Sequence, residues 1–211
     1  WTTYSPAIRP PRRSGALMVH DRARDRIVLV GGVDGATQRL DTWEFDGSSW
    51  SQGPNAPWTP LARMVYDAAR ARTLLVSNAT HTYAGQSWQQ VSVVATTPTV
   101  RVGYDERNQV PTLYHADPQP ELILWNGATW TLVPSPGLPV LPSPALFHDV
   151  EVDRLVIADE SLGGEQLLWD GAQLQRRQSS PQLANACAFH DPVRSESVVF
   201  GGQRAGVESD A

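Results

Sequence analysis

The chain has 211 residues, a formal net charge of −5 and 17 basic side chains, all of them arginine. An acidic balance with no basic stripe argues against nucleic-acid binding, and the lack of lysine excludes Schiff-base chemistry and Walker-type phosphate loops. No run of about 20 apolar residues occurs, so no membrane span is expected, and Cys187 is the sole cysteine, so no internal disulfide can form.

From the N-terminus, the chain opens at Trp1 without a basic-then-apolar leader, which is read as no signal peptide. A first residue other than Met predicts a chain that is processed, excised from something longer, or numbered from an internal residue. Its localisation stays unknown, also as part of a larger chain or assembly. Arginine, alanine and proline without lysine point to a GC-rich bacterial source.

Five short apolar runs follow, each ending in His-Asp or Tyr-Asp: residues 16–21, 63–67, 101–105, 145–149 and 187–191. After four or five further residues each is followed by a β-rich run, at 26–30, 73–76, 111–114, 154–157 and 197–200. Short apolar runs bounded by Asp, Gly and Pro read as strands, because helices need longer windows and a 3.6-residue period. The turn aspartates (Asp21, Asp67, Asp105, Asp149, Asp191) are expected to hydrogen-bond their own backbone two residues on.

Next comes an aromatic-x-Gly-x-x-Trp hairpin. It runs from Phe45 to Trp50, Tyr83 to Trp88 and Trp125 to Trp130, and in a degraded copy from Trp169 to Leu174. Asp-Gly and Asn-Gly at three of these tips predict type I′ turns. The glycines Gly47, Gly85, Gly127 and Gly171 fall 38, 42 and 44 residues apart, a period that marks a repeat architecture. Pro-rich stretches at 54–60 and 134–144 separate the units. Four-stranded antiparallel units repeated radially make a β-propeller.

These residues resemble the kelch repeats. The first unit carries His20-Asp21, the double glycine Gly31-Gly32, Asp41-Thr42-Trp43, and Gly47 with Trp50; the fifth keeps His190-Asp191 and Gly201-Gly202. The resemblance implies one all-β, kelch-like β-propeller domain over residues 1–211, with about five four-stranded blades. The units are 16–53, 63–92, 101–133, 145–177, and 187–211 completed by 1–5, where the N-terminal strand closes the last blade. It also implies that each first strand lines a central channel. The tryptophans then read as core between blades, apart from Trp58, which lies in a Pro-rich linker and is expected to be exposed as a candidate ligand-binding residue.

Departures from the repeat are the candidate ligand residues. Arg63 and Arg101 stand four residues before their turn aspartates, where the other units have Leu17, Ala145 and Cys187. With Arg13 they are suited to a carboxylate or phosphate. The loops after the second strands add His81 and Tyr83, then His115 and Asp117 with Glu121, then Asp159, Glu160 and Glu165. His20, His148 and His190 share one repeat position with Tyr66 and Tyr104, which argues for packing rather than a metal. No catalytic motif, metal or cofactor is expected. The reading is a non-catalytic module that holds a protein, peptide or glycan on one loop face. The alternatives are a propeller enzyme acting on a small anionic or sugar substrate at the channel mouth, or a structural segment of an assembly. A copper radical oxidase, one activity of such relatives, would need a Tyr–Cys pair for which only Cys187 is available; a sialic-acid mutarotase would need arginines and acids at the channel mouth.

Overall fold

The structure, a computed structural model, describes residues 6, 8–93, 100–116, 118–178, 187–191, 196–200, 203–204 and 207–208. The expected N-terminal strand at 1–5 and the candidate Asp117 lie outside them. The chain divides into two compact units, residues 1–96 and 97–211.

In the first unit, β1 (Leu17–Asp21) and β2 (Arg26–Val30) precede a small hairpin, β3 (Val33–Asp34) with β4 (Thr37–Gln38). Then come β5 (Thr42–Phe45) and β6 (Trp50–Gln52), and the first sheet has the order β1-β2-β5-β6. The second sheet is β7 (Arg63–Asp67), β8 (Arg72–Val76), β9 (Ala79–Tyr83) and β10 (Trp88–Val93) in sequential order. In the second unit the third sheet is β11 (Arg101–Asp105), β12 (Val110–His115), β13 (Glu121–Trp125) and β14 (Trp130–Val133). The fourth is β15 (Ala145–Asp149), β16 (Arg154–Ala158), β17 (Glu165–Trp169) and β18 (Leu174–Gln178). A two-stranded pair, β19 (Cys187–Asp191) with β20 (Glu196–Phe200), stands where the fifth unit is expected, and β21 (Gln203–Arg204) pairs with β22 (Val207–Glu208). All pairings are antiparallel.

The turn aspartates Asp21, Asp67, Asp105 and Asp149 are buried and bind their own turns. Asp21 accepts from the Arg24 N–H at 3.2 Å, Asp105 from the Asn108 N–H at 3.0 Å, and Asp149 from the Glu151 N–H at 3.0 Å. Two of these bonds reach three residues on rather than the expected two. The fifth turn position, Asp25, Ala71, Gln109 or Asp153, has φ between 51° and 55°, a left-handed conformation held without glycine.

The hairpin tips correct the type I′ expectation, which requires positive φ at both central residues. Gly47, Gly127 and Gly171 have φ of 90°, 104° and 103°, but Asp46, Asn126 and Asp170, which would be the other central residues of such turns, are not left-handed. The side chain before each glycine decides the shape: Asp46, Asn126 and Asp170 each accept from the N–H groups two and three residues on, at 2.7–2.9 Å.

Each sheet has a front face, which carries the aromatic opening its Gly-x-x-Trp hairpin. In the first unit, Met64, Leu75, Tyr83 and Trp88 on the front of the second sheet pack on Leu17, Val19, Val28 and Val30 on the back of the first. In the second unit, Leu146, Ile157, Leu167 and Trp169 on the front of the fourth sheet pack on Tyr114 and Leu122 behind the third. Each large apolar side chain buried this way contributes roughly 1.5–3 kcal/mol.

Polar contacts follow the same front-to-back order. The Arg24 guanidinium lies against Gly85, where a Cβ would come within 2.4 Å of Nη1. Asn108 lies against Gly171, where a Cβ would come within 2.8 Å of Nδ2, and donates to the Asp170 carbonyl at 3.3 Å. The Trp88 indole N–H donates to the Thr42 hydroxyl at 2.9 Å. Glycine is thus favoured at these two tips by φ, and a Cβ would also force the Arg24 or Asn108 side chain to shift.

Candidate functional site

Arg13 is a clamp within the first unit. Its guanidinium pairs with both oxygens of Asp41, at 2.6 and 2.9 Å, and donates to the Gly31 carbonyl at 2.9 Å; the side chain is 4% exposed. Asp41 also accepts from the Trp43 indole at 2.6 Å, so Arg13 and Trp43 hold its carboxyl below the usual range. The geometry is a local fork–fork pair.

Trp58 corrects the expectation of an exposed linker ring. It is 6% exposed and belongs to the core of the first unit. A Cβ on Gly31 would come within 2.2 Å of its indole, so the double glycine leaves room for this ring. Gly32 has a different neighbour, the Ser14 backbone, at 2.8 Å from its virtual Cβ.

Tyr83, read as a loop residue, ends β9 and is 1% exposed. It stacks on Trp88 at 4.8 Å, and Arg24 lies over its ring at 5.3 Å. Burial and a hydrogen bond with Glu44 push its phenol far above the usual range. His81 also lies in β9 and is partly buried, and burial pulls its pKa down against a backbone hydrogen bond with Ala79. His115 closes β12 opposite Glu121, also partly buried.

The His/Tyr position is occupied by packing groups. Tyr66 accepts from the Ala23 N–H at 3.0 Å. His148 is buried with Asp153 at 3.4 Å and Asp105 at 3.9 Å, and Arg107 pairs with the same Asp153. His20 is half exposed and bonds Asp25 of its own turn at 2.9 Å. Imidazole and phenol interchange here because each offers a polar tip to an adjoining turn. Among the described residues, no group of three or more His, Cys, Asp or Glu is placed to hold a metal ion.

The two strand-entrance arginines lie in different units. Arg63 opens β7 and donates to the Leu61 and Ala62 carbonyls at 3.2 and 2.9 Å. Arg101 opens β11 and donates to the Val100 carbonyl at 3.0 Å and the Ser143 hydroxyl at 2.8 Å. The Ser143 N–H donates to buried Asp159 at 2.9 Å, and Asp159 also accepts from the Ser161 N–H and hydroxyl.

Arg24 and Arg101 differ electrostatically. Burial lowers the Arg24 pKa, but Glu44 and Asp21 more than offset it and the net shift is upward. Burial lowers the Arg101 pKa too, and the attraction of Asp159 only partly offsets it. The sequence reading chose Arg101 but not Ser143, which sits inconspicuously in a Pro-rich linker. On the second sheet, Arg72, Thr82, Gln86, Ser87 and Gln89 line an open polar cleft of about 340 Å³.

Neither a protein-family model nor a curated protein matches the sequence. Solved structures do. A catalytically inactive virginiamycin B lyase from Staphylococcus aureus, with quinupristin, is similar at 6% identity and a TM-score of 0.62; the match covers 95% of this chain and 71% of that one. A protein of unknown function from Bacteroides thetaiotaomicron is similar at 8% identity and a TM-score of 0.57, over 92% of this chain and 59% of that one. YCF48 bound to D1 peptide aligns at 14% identity and a TM-score of 0.46, over 90% of this chain and 60% of that one. The fold is therefore that of the β-propellers. No helix among the described residues is long and apolar enough to cross a membrane.

Proposed function

We propose that the chain is a kelch-like propeller of about five blades that serves as a non-catalytic binding module, with Arg101 on its ligand face. The partner is a protein or peptide that presents a carboxylate. The carrying observation is the partly buried guanidinium at the entrance of β11, a break in the repeat, held by the Val100 carbonyl and the Ser143 hydroxyl at 3.0 and 2.8 Å. An arriving carboxylate would favour the guanidinium's charged form and accept a charge-assisted, two-pronged bond. The buried acids support a binding rather than a catalytic reading, because they are engaged in the frame. Asp21 is held by Arg24, Asp67 by Arg70 and Asp149 by Arg177, and the partly buried Asp41 by Arg13.

An array of acidic peptides probed with the purified protein tests the reading. Arg101→Ala is expected to weaken the best binders by about 10–100-fold, the loss typical of a charged contact residue. Arg101→Lys recovers part of the affinity, and rising salt weakens binding to the parent. Equal binding by the parent and Arg101→Ala, at equal thermal stability, would remove Arg101 from the site.

A further inference from the structure

The front face of the first sheet is built like the faces its neighbours bury; Trp43 on it is buried beside Asp41, yet the part around Met18, Phe45 and Gly47 is open. Met18 occupies the register position of Met64 and Leu146, each opposite an aliphatic residue of the second strand. Met64 and Leu146 pack against cores, whereas Met18 is 61% exposed. Phe45 stands where Tyr83 and Trp169 are fully buried, and it is only partly covered. Gly47 is a second sign. Gly85 and Gly171 are overlain by Arg24 and Asn108 of the preceding sheet, but a Cβ on Gly47 would meet nothing within 4 Å. His20 is a third. Its ring is half exposed, whereas its counterpart His148 is buried, with its own Asp153 at 3.4 Å and Asp105 of the preceding turn at 3.9 Å.

We propose that this face is a blade-docking surface, and that its occupant is the back of another four-stranded sheet of the same repeat, carried by the same polypeptide. The proposal rests on the propeller reading above. Within each unit the sheets stack front to back, and one polypeptide supplies both surfaces of every such junction. The occupant is specified by those junctions. It brings branched aliphatics against Met18 and Leu29, as Val19 and Val28 are brought to the second sheet. It brings a turn whose fourth residue lies on Gly47, and a turn acceptor or backbone N–H for the ring of His20. Exposed aromatic and aliphatic side chains gathered on one sheet face are the usual mark of a surface that is covered.

The two methionines, Met18 and Met64, form a matched pair of reporters. Peroxide oxidation of the full natural polypeptide, read by peptide mass mapping, measures cover at each sulfur. The expected result is that both are protected, with rates within about threefold of one another, in a protein that stays monomeric on dilution. Met18→Arg should then lower Tm by about 5 °C or more, against almost no change for an exposed position. Fast oxidation of Met18 beside slow oxidation of Met64 would overturn the proposal and leave front-to-back stacking intact. Fast oxidation of both would count against the stacking itself. Protection of Met18 that is lost on dilution, as a dimer dissociates, would assign the surface to a second copy and overturn the single-polypeptide occupant.

Discussion

Phe45 and Tyr83 open the same hairpin in adjacent sheets, pair in the same register with a tryptophan, and differ in almost everything else. The Tyr83 ring is sealed, stacked on Trp88, capped by Arg24 and bonded to Glu44. The Phe45 ring meets Trp50 at 5.1 Å and 37° and stays partly open to solvent. The difference shows that the repeat alone does not make a core. A sheet of this kind acquires its stability from the layer before it, as expected of arrays held by nearest-neighbour contacts.

Several substitutions would break or sharpen that comparison. The largest effect is expected from Tyr83→Ala, which should cost about 3–5 kcal/mol in urea unfolding, while Phe45→Ala costs less than half as much. Arg24→Ala comes next. It leaves Asp21 and Glu44 without their cation and should cost about 2–4 kcal/mol, whereas Arg26→Ala at its longer, more exposed pair with Asp46 should fall within about 0.5 kcal/mol. Gly85→Ala and Gly47→Ala share a left-handed φ penalty of about 1–2 kcal/mol. Only Gly85→Ala adds the collision with Arg24, so the gap between the two measures the junction itself.

A smaller effect depends on pH. The Asp41 carboxyl lies below its ordinary value of 3.8, so its stabilising contribution is complete above that value and is lost as pH falls through the lower, folded pKa. Tm measured from neutral pH downward should fall in that acid window, and Asp41→Asn should flatten this part of the profile while lowering Tm at neutral pH. The smallest change is a gain. Ala71 is left-handed at φ 52°, so Ala71→Gly should stabilise the second sheet by about 1 kcal/mol. Asp25→Gly should gain less, because aspartate tolerates that conformation better and Asp25 also bonds His20.

The strands and their grouping were legible because the Asp turn and the Gly-x-x-Trp hairpin are local signals that recur. The type I′ turns were misread because dipeptide preference overlooks the side-chain acceptor. Asp46, Asn126 and Asp170 each capture two backbone N–H groups and stay out of the left-handed region themselves, leaving it to the glycine. Trp58 was misread for a related reason. A Pro-rich linker suggests exposure, and nothing in the one-dimensional pattern pairs Trp58 with Gly31, 27 residues earlier. Arg101 was visible as a break in the repeat. Its link through Ser143 to Asp159 joins residues 42 and 16 apart and becomes apparent only once β11 and β15 lie side by side.

The Arg24–Gly85 and Asn108–Gly171 contacts also bear on how such a chain can grow or shrink. Each joins the first turn of one repeat to the hairpin tip of the next, so a copied repeat must carry both its turn and its hairpin glycine. A duplication cut within a linker such as 54–60 would copy both halves of every junction and add a compatible layer. The same duplication cut within a turn would strand an arginine without its glycine. The uneven spacing of the hairpin glycines fits this restriction: from each hairpin glycine to the next turn aspartate the chain runs 20, 20, 22 and 20 residues, so length has drifted in the loops between the second and third strands while the linkers stay nearly fixed.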